Sequence, residues 1–272
     1  VPRLLGLLSL FFFSDVRSKQ SAWERSGLFE GDIKFTRYQR RNGIINPASR
    51  WPNRTLPFVI DSSFTEKQRD YILHVVNEYH NKTCIRMREY NPDIDKDYVH
   101  IKGERSGCWS YVGRIGGRQE LNLSPSEPET GCFRTGTIEH ELLHALGFFH
   151  QQSATERDDF VEIYWENIQS VTVLNQSVYG TGREGNFNKY SASTISSFGV
   201  KYDYDSIMHY GAYAFSKNGK KTIQPLVSLL QHCLLSSFPT LIYHVCHCIL
   251  RFIDSNSQED SVTLIQGVIG KL

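Results

Sequence analysis

Three features of the sequence predict an α+β domain. Short β-like runs gather in the first half, at Leu56–Ile60, Tyr98–Ile101 and Gln119–Leu123. Two helical segments, from Thr65 to His80 and from about Thr135 to Leu146, are set among and after those runs. The residues beyond carry no long periodic stretch. The expected order is sheet first, second helix across it, and an irregular lower half.

The chain has 272 residues, of which 40% are hydrophobic, enough for one large core or two small ones. Thirty Lys and Arg against twenty-nine Asp and Glu leave a formal charge of +1, which gives no basic surface for nucleic acid. Aromatic residues at 12% and charged residues at 22% argue against global disorder.

At the start, Arg3 precedes a mainly apolar run from Leu4 to Phe13. That length matches the apolar region of a secretory signal and falls short of the roughly 20 residues of a membrane span, so residues 1–14 are expected to be a signal peptide. Four N-x-[ST] sequons, at Asn53, Asn81, Asn122 and Asn175, and six cysteines agree with export to an oxidising compartment. The segment TEKQRDYILHVVNEYH places a capping Thr65 before apolar residues at helical spacing.

The segment TIEHELLHALGFFH, Thr137 to His150, carries the chemistry. His140 and His144 are four apart, so on a helix they share one face and two imidazoles can reach one Zn²⁺. Glu141 lies beside the first ligand and is suited to take a proton from a water that the ion acidifies. A straight helix would carry His150 to the wrong side; Gly147 can take positive φ, end the helix and return His150 to the metal. Five fixed positions of this kind recur by chance about once in three million windows. Farther on, Ser206-Ile207-Met208-His209-Tyr210 looks like a Met-turn, and one of only two methionines in the chain lies in it.

With these motifs the chain resembles the astacin family of secreted zinc endopeptidases, within the metzincins. The likeness runs through RTLPFVIDSSF, GCWSYVGRIGGRQELNLS, HELLHALGFFHQQSATERDDFVEIYWENI, NFNKYSAS and YDYDSIMHYGAYAFSKNGKKTIQP, roughly residues 51 to 225. It implies one catalytic Zn²⁺ held by His140, His144 and His150, with Glu141 as general base and acid. It implies Tyr210 as a further ligand in the resting enzyme, swinging away to stabilise the oxyanion. It also implies a twisted mixed sheet and active-site helix in an N-terminal subdomain, an irregular C-terminal subdomain, and a cleft between them that takes an extended peptide.

The same likeness implies a zymogen. LFEGDIKF, Leu28 to Phe35, is similar to the F-x-G-D motif of astacin propeptides, which makes Asp32 the carboxylate that caps the zinc. Cleavage near Arg40-Arg41 would free a new N-terminus at Asn42 or Gly43. Cys108 and Cys132 match the family's pair ahead of the zinc helix, and Arg114 to Leu123 is expected to supply the edge strand for substrate.

Gln151 stands where the family usually has Glu, and Ala154 where Arg is common. After Pro225 the match ends: LVSLLQHCLLSSFPTLIYHVCHCILRFI is apolar but interrupted by Gln231, His232, Pro239, His244, His247 and Arg251, which disfavours a membrane span. The expected division is signal 1–14, propeptide 15–41, catalytic domain 42–225 and anomalous tail 226–272; the family's partner position for Cys84 is not matched, and Cys233, Cys246 and Cys248 are substitutes that the sequence does not rank. A secreted zinc endopeptidase acting on protein substrates is the favoured reading. The competing one is a zinc-binding but catalytically poor interaction protein.

Overall fold

The computed structural model describes residues 22, 24, 26–35, 47–170, 172–174, 177–179, 182–197 and 199–226. The expected signal, the Arg40-Arg41 stretch, Asn175 and the tail beyond Leu226 lie outside the described residues.

A six-stranded mixed sheet forms the upper half. In chain order its strands are β1 (Ile33–Lys34), β2 (Thr55–Ile60), β3 (Arg86–Glu89), β4 (Tyr98–Lys102), β5 (Cys108–Tyr111) and β6 (Arg118–Leu123), arranged β1-β5-β6-β4-β2-β3. Only β5 and β6 pair antiparallel; the other neighbours are parallel. Helix α1 (Glu66–Lys82) connects β2 to β3, as a parallel pair requires a long crossover. It starts where expected: Thr65 Oγ1 accepts the Gln68 N–H while Gln68 Oε1 accepts the Thr65 N–H. Its buried stripe, Ile72, Val75, Val76 and Tyr79, faces the core, each apolar side chain gaining about 1.5–3 kcal/mol over an exposed position.

Leu56, Val99, Ile101, Leu121 and Leu123 supply the sheet's side of that core, and Ile138, Leu142 and Leu143 of helix α2 (Thr135–Leu146) supply the other. A Cys108–Cys132 disulfide ties β5 to the approach to α2. Tyr79 on α1 donates its hydroxyl to the Glu139 carbonyl on α2 at 2.8 Å.

The lower half is turns, 3₁₀ segments and two small ladders: β7 (Val161–Ile163) with β10 (Ile223–Pro225), and β8 (Thr172–Leu174) with β9 (Ser177–Tyr179), both antiparallel. Arg157, buried, donates to the Gln152 and Phe187 carbonyls at 2.9 and 2.7 Å and so joins separate loops. No helix among the described residues is long and apolar enough to cross a membrane.

Two expectations are corrected. Arg114 to Leu123 is not an edge: Gly116 and Gly117, both at positive φ, reverse the chain so that β6 returns between β5 and β4. The edge belongs to β5, and β1 covers it. Asn122 is fully buried, its side chain bonded to the Glu104 N–H and to the Glu104 and Gly107 carbonyls, so that sequon is closed to glycosylation. Asn53 and Asn81 are exposed.

Candidate metal centre and active site

Helix α2 supplies the first two imidazoles from one face, His140 and His144, with ring centroids 4.8 Å apart. It ends at Gly147, whose φ of 117° is open to glycine and strained for other residues; its N–H reaches back to the Leu143 and His144 carbonyls. The His144 carbonyl also accepts the Gly113 N–H, and the Ala145 carbonyl accepts the Trp51 indole N–H, both at 2.8 Å. Turned by this cap, the chain brings His150 to 5.1 Å from the His140 ring and 4.7 Å from the His144 ring.

Each imidazole has its Nδ1 committed. His140 donates to the Ile207 carbonyl, His144 to the Phe148 carbonyl and His150 to Glu30 Oε2, all at 2.7 Å. Because those acceptors each take a hydrogen bond from Nδ1, the Nε2 atoms are turned toward the interior of the group. The Met-turn serves this arrangement through its backbone: Ile207 orients His140, and the buried Met208 offers its carbonyl to the Gln151 N–H, next to His150.

Asp32 closes the group. Its Oδ2 lies 2.9 Å from His140 Nε2, and its Oδ1 lies 3.3 Å from His144 Nε2 and 3.4 Å from His150 Nε2. All four ligand atoms fall within 4.8 Å of one another. Asp32 is aimed there by a tight turn in which Glu30 and Gly31 both have positive φ, 48° and 92°, closed by Gly31 N–H to the Leu28 carbonyl and Ile33 N–H to the Phe29 carbonyl.

The donor set fits a divalent cation. His140 and His150 Nε2 atoms stand 3.2 Å apart with a carboxylate between the rings, and Asp32 Oδ1 and His144 Nε2 are buried without a hydrogen-bond partner. Three imidazoles and a carboxylate are the ligand types that Zn²⁺ takes, in a four-coordinate count. The site also draws positive charge. Burial opposes ionisation of His150, yet the carboxylates of Asp32 and then Glu30 overcome it and raise its pKa to about 9. Burial likewise works to raise Asp32, but His150, His144 and His140 outweigh it and hold the carboxyl well below the usual carboxylate range.

Glu141 is fully buried beside the group, with neither carboxylate oxygen hydrogen-bonded. Burial first, and the Asp32 charge second, push its pKa well above the usual range. Tyr210 is not brought into the ligand group. Its ring lies 4.8 Å from that of His150, but its hydroxyl donates to the Glu30 carbonyl at 2.5 Å.

Glu30 was not legible in the sequence as a site residue, because it occupies the variable place of F-x-G-D. Its carboxylate, fully buried, also accepts the Ser153 hydroxyl at 3.1 Å, and its N–H donates to Asn186 Oδ1 at 3.0 Å.

The profile of the astacin peptidase family matches residues 43–235. The chain belongs to the astacin family. Among relatives, it is 40% identical over 201 residues to zinc metalloproteinase nas-4 of Caenorhabditis elegans, covering 73% of this chain and 58% of that one. It is 42% identical over 203 residues to human meprin A subunit beta, covering 74% of this chain and 26% of the relative. The chain thus spans little more than half the length of the first relative and about a quarter of the second. Among solved structures, high choriolytic enzyme 1 of medaka, a hatching-enzyme zinc protease, superposes with a TM-score of 0.54 at 29% identity, over 78% of this chain and 98% of that one. This astacin-family chain therefore has the metzincin-like α+β fold and a histidine triad suited to one zinc ion.

Proposed function

We propose that this protein is a secreted, zinc-dependent endopeptidase made as a latent precursor. The observation that carries the reading is the convergence of three inward-facing Nε2 atoms beside an unbonded, buried Glu141 in a chain of this family. His140, His144 and His150 would hold Zn²⁺, with Asp32 as the fourth ligand while the precursor is intact. Bound zinc supplies Lewis acidity, lowering the pKa of a coordinated water and polarising the scissile carbonyl.

This chain's own residues supply the rest. Glu141, buried beside the three imidazoles with neither carboxylate oxygen hydrogen-bonded, accepts the proton of the attacking water and passes it to the leaving amine. Tyr210, once freed from Glu30, donates its hydroxyl to the oxygen that becomes negative as the carbonyl is attacked, a stabilisation worth about 10²–10³ in rate at comparable sites. The edge of β5 pairs with an extended peptide; in the precursor the Ser110 N–H already donates to the Asp32 carbonyl at 3.0 Å.

Latency follows from the same contacts. Residues 15–41 form the propeptide: Asp32 would hold the ion against an incoming water, β1 blocks the edge strand, and Glu30 holds both Tyr210 and His150. Cleavage near Arg40-Arg41 releases all three. Export is supported by the apolar run at residues 4–13, by the Cys108–Cys132 bridge and by exposed sequons at Asn53 and Asn81.

The test is hydrolysis of a protein substrate by the chain processed with limited trypsin, with a chelator and a Glu141→Ala control. Loss of activity in both controls supports the reading. Activity surviving Glu141→Ala overturns the mechanism, and stoichiometric zinc without hydrolysis favours the interaction protein.

A further inference from the structure

Beside the metal centre, on the β5 edge, an aromatic and acidic box is filled by a lysine of the chain's own prosegment. Lys34 Nζ lies 4.2 Å from the Trp109 ring centroid, 5.4 Å from that of Tyr111 and 3.1 Å from Glu120 Oε2. Trp109 and Tyr111 meet edge to face at 6.5 Å, and the Trp109 indole is fixed by donating to Ser106 Oγ at 3.1 Å.

The neighbouring charges are balanced around this lysine. Lys102 lies 5.1 Å from the Trp109 centroid and bonds Glu120 at 3.1 Å, but it also has Glu104 at 2.8 Å. Two ammonium groups thus meet two carboxylates. When Lys34 leaves with the prosegment, Lys102 stays near Trp109 and on Glu120, but one carboxylate charge goes unbalanced, Tyr111 loses its cation and Trp109 loses the nearer of its two. Such faces attract an ammonium or guanidinium, and a carboxylate at their rim adds to the attraction.

We propose that Trp109, Tyr111 and Glu120 form a substrate subsite for a Lys or Arg side chain. Lys34 is two residues from Asp32, the residue at the metal centre, or about 7 Å along a strand. The basic side chain therefore belongs at the second or third residue from the scissile bond, on the half of the substrate that lies along β5. Lys34 is the built-in occupant of that subsite, which the inner ends of β1 and β5 hold in register, Lys34 opposite Tyr111.

This subsite rests on the reading of residues 15–41 as a removable propeptide, and the experiment separates the two. The processed chain carrying Glu141→Gln is titrated by calorimetry with pairs of peptides differing only in Lys or norleucine at the second or third position on either side of the scissile bond. At one of these positions Lys is expected to bind about 5–20-fold tighter. Equal affinities at every position overturn the subsite. Adding Glu120→Gln is expected to lower that ratio at least about threefold, and an unchanged ratio overturns the assignment of Glu120. Latency is judged apart, by hydrolysis: an unprocessed wild-type chain as active as the processed one overturns the propeptide reading and leaves the binding ratios to decide the subsite.

Discussion

Tyr210 donates its hydroxyl to the main-chain carbonyl of Glu30 at 2.5 Å, across 180 positions of sequence. The residue proposed to stabilise the oxyanion is thus held by the residue whose carboxylate also holds His150. Under the proposed zymogen reading, the main chain and the side chain of one glutamate couple latency to catalysis.

Tyr210→Phe removes the donor and leaves the ring. In the processed chain kcat is expected to fall about 10²-fold with little change in KM, since the missing bond forms only as charge develops on the substrate. Steady-state kinetics on a peptide checks this; a KM effect of the same size would place Tyr210 in ground-state binding.

Asp32→Asn keeps the shape of the latch and removes its charge. The unprocessed chain is then expected to show at least about tenfold higher basal hydrolysis, because a neutral amide competes poorly for a site ringed by three imidazoles. Gly31→Ala is expected to act in the same direction through its φ of 92°. Basal rates indistinguishable from wild type in both variants would remove Asp32 from the latch.

Gly147→Ala strains the helix cap at φ 117°. A loss of about 1–2 kcal/mol of stability is expected, together with weaker zinc retention, because this cap turns His150 back toward His140 and His144. Thermal melts and competition with a zinc-chelating dye measure the two effects separately; unchanged zinc affinity would show that His150 is placed by its other contacts.

Cys108→Ser with Cys132→Ser opens a loop of 24 residues between β5 and α2. The unfolding midpoint is expected to drop by the equivalent of about 2–4 kcal/mol, with the zinc content of the folded protein retained, since none of the ligands lies in that loop. Denaturant titration with zinc analysis on the same samples checks both parts.

Much of the fold was legible because its signals are local. The Thr65 cap, the apolar stripe of α1 and the extent of α2 each depend on residues within a few positions of one another, and the structure places them as read. The triad was legible for the same reason: i,i+4 spacing and a glycine that can cap are properties of one short segment. The edge strand was misread because β5 and β6 are neighbours in sequence with similar runs. Which one ends at solvent depends on β4, which pairs with β6 and leaves β5 outside.

By itself, the sequence determined the donor set of the centre: two imidazoles and a carboxyl on a helix with a built-in stop, a third imidazole just past that stop, and an Asp in an F-x-G-D motif. Only the tertiary structure decided what restrains them. Glu30 on His150 and Tyr210, Ile207 behind His140, and Lys34 between Trp109 and Glu120 join positions 67 to 180 residues apart. Helical spacing is set by backbone geometry over one turn and can be read from a short segment. Contacts across such distances exist only once the sheet and the lower half have folded around the cleft and closed it from water.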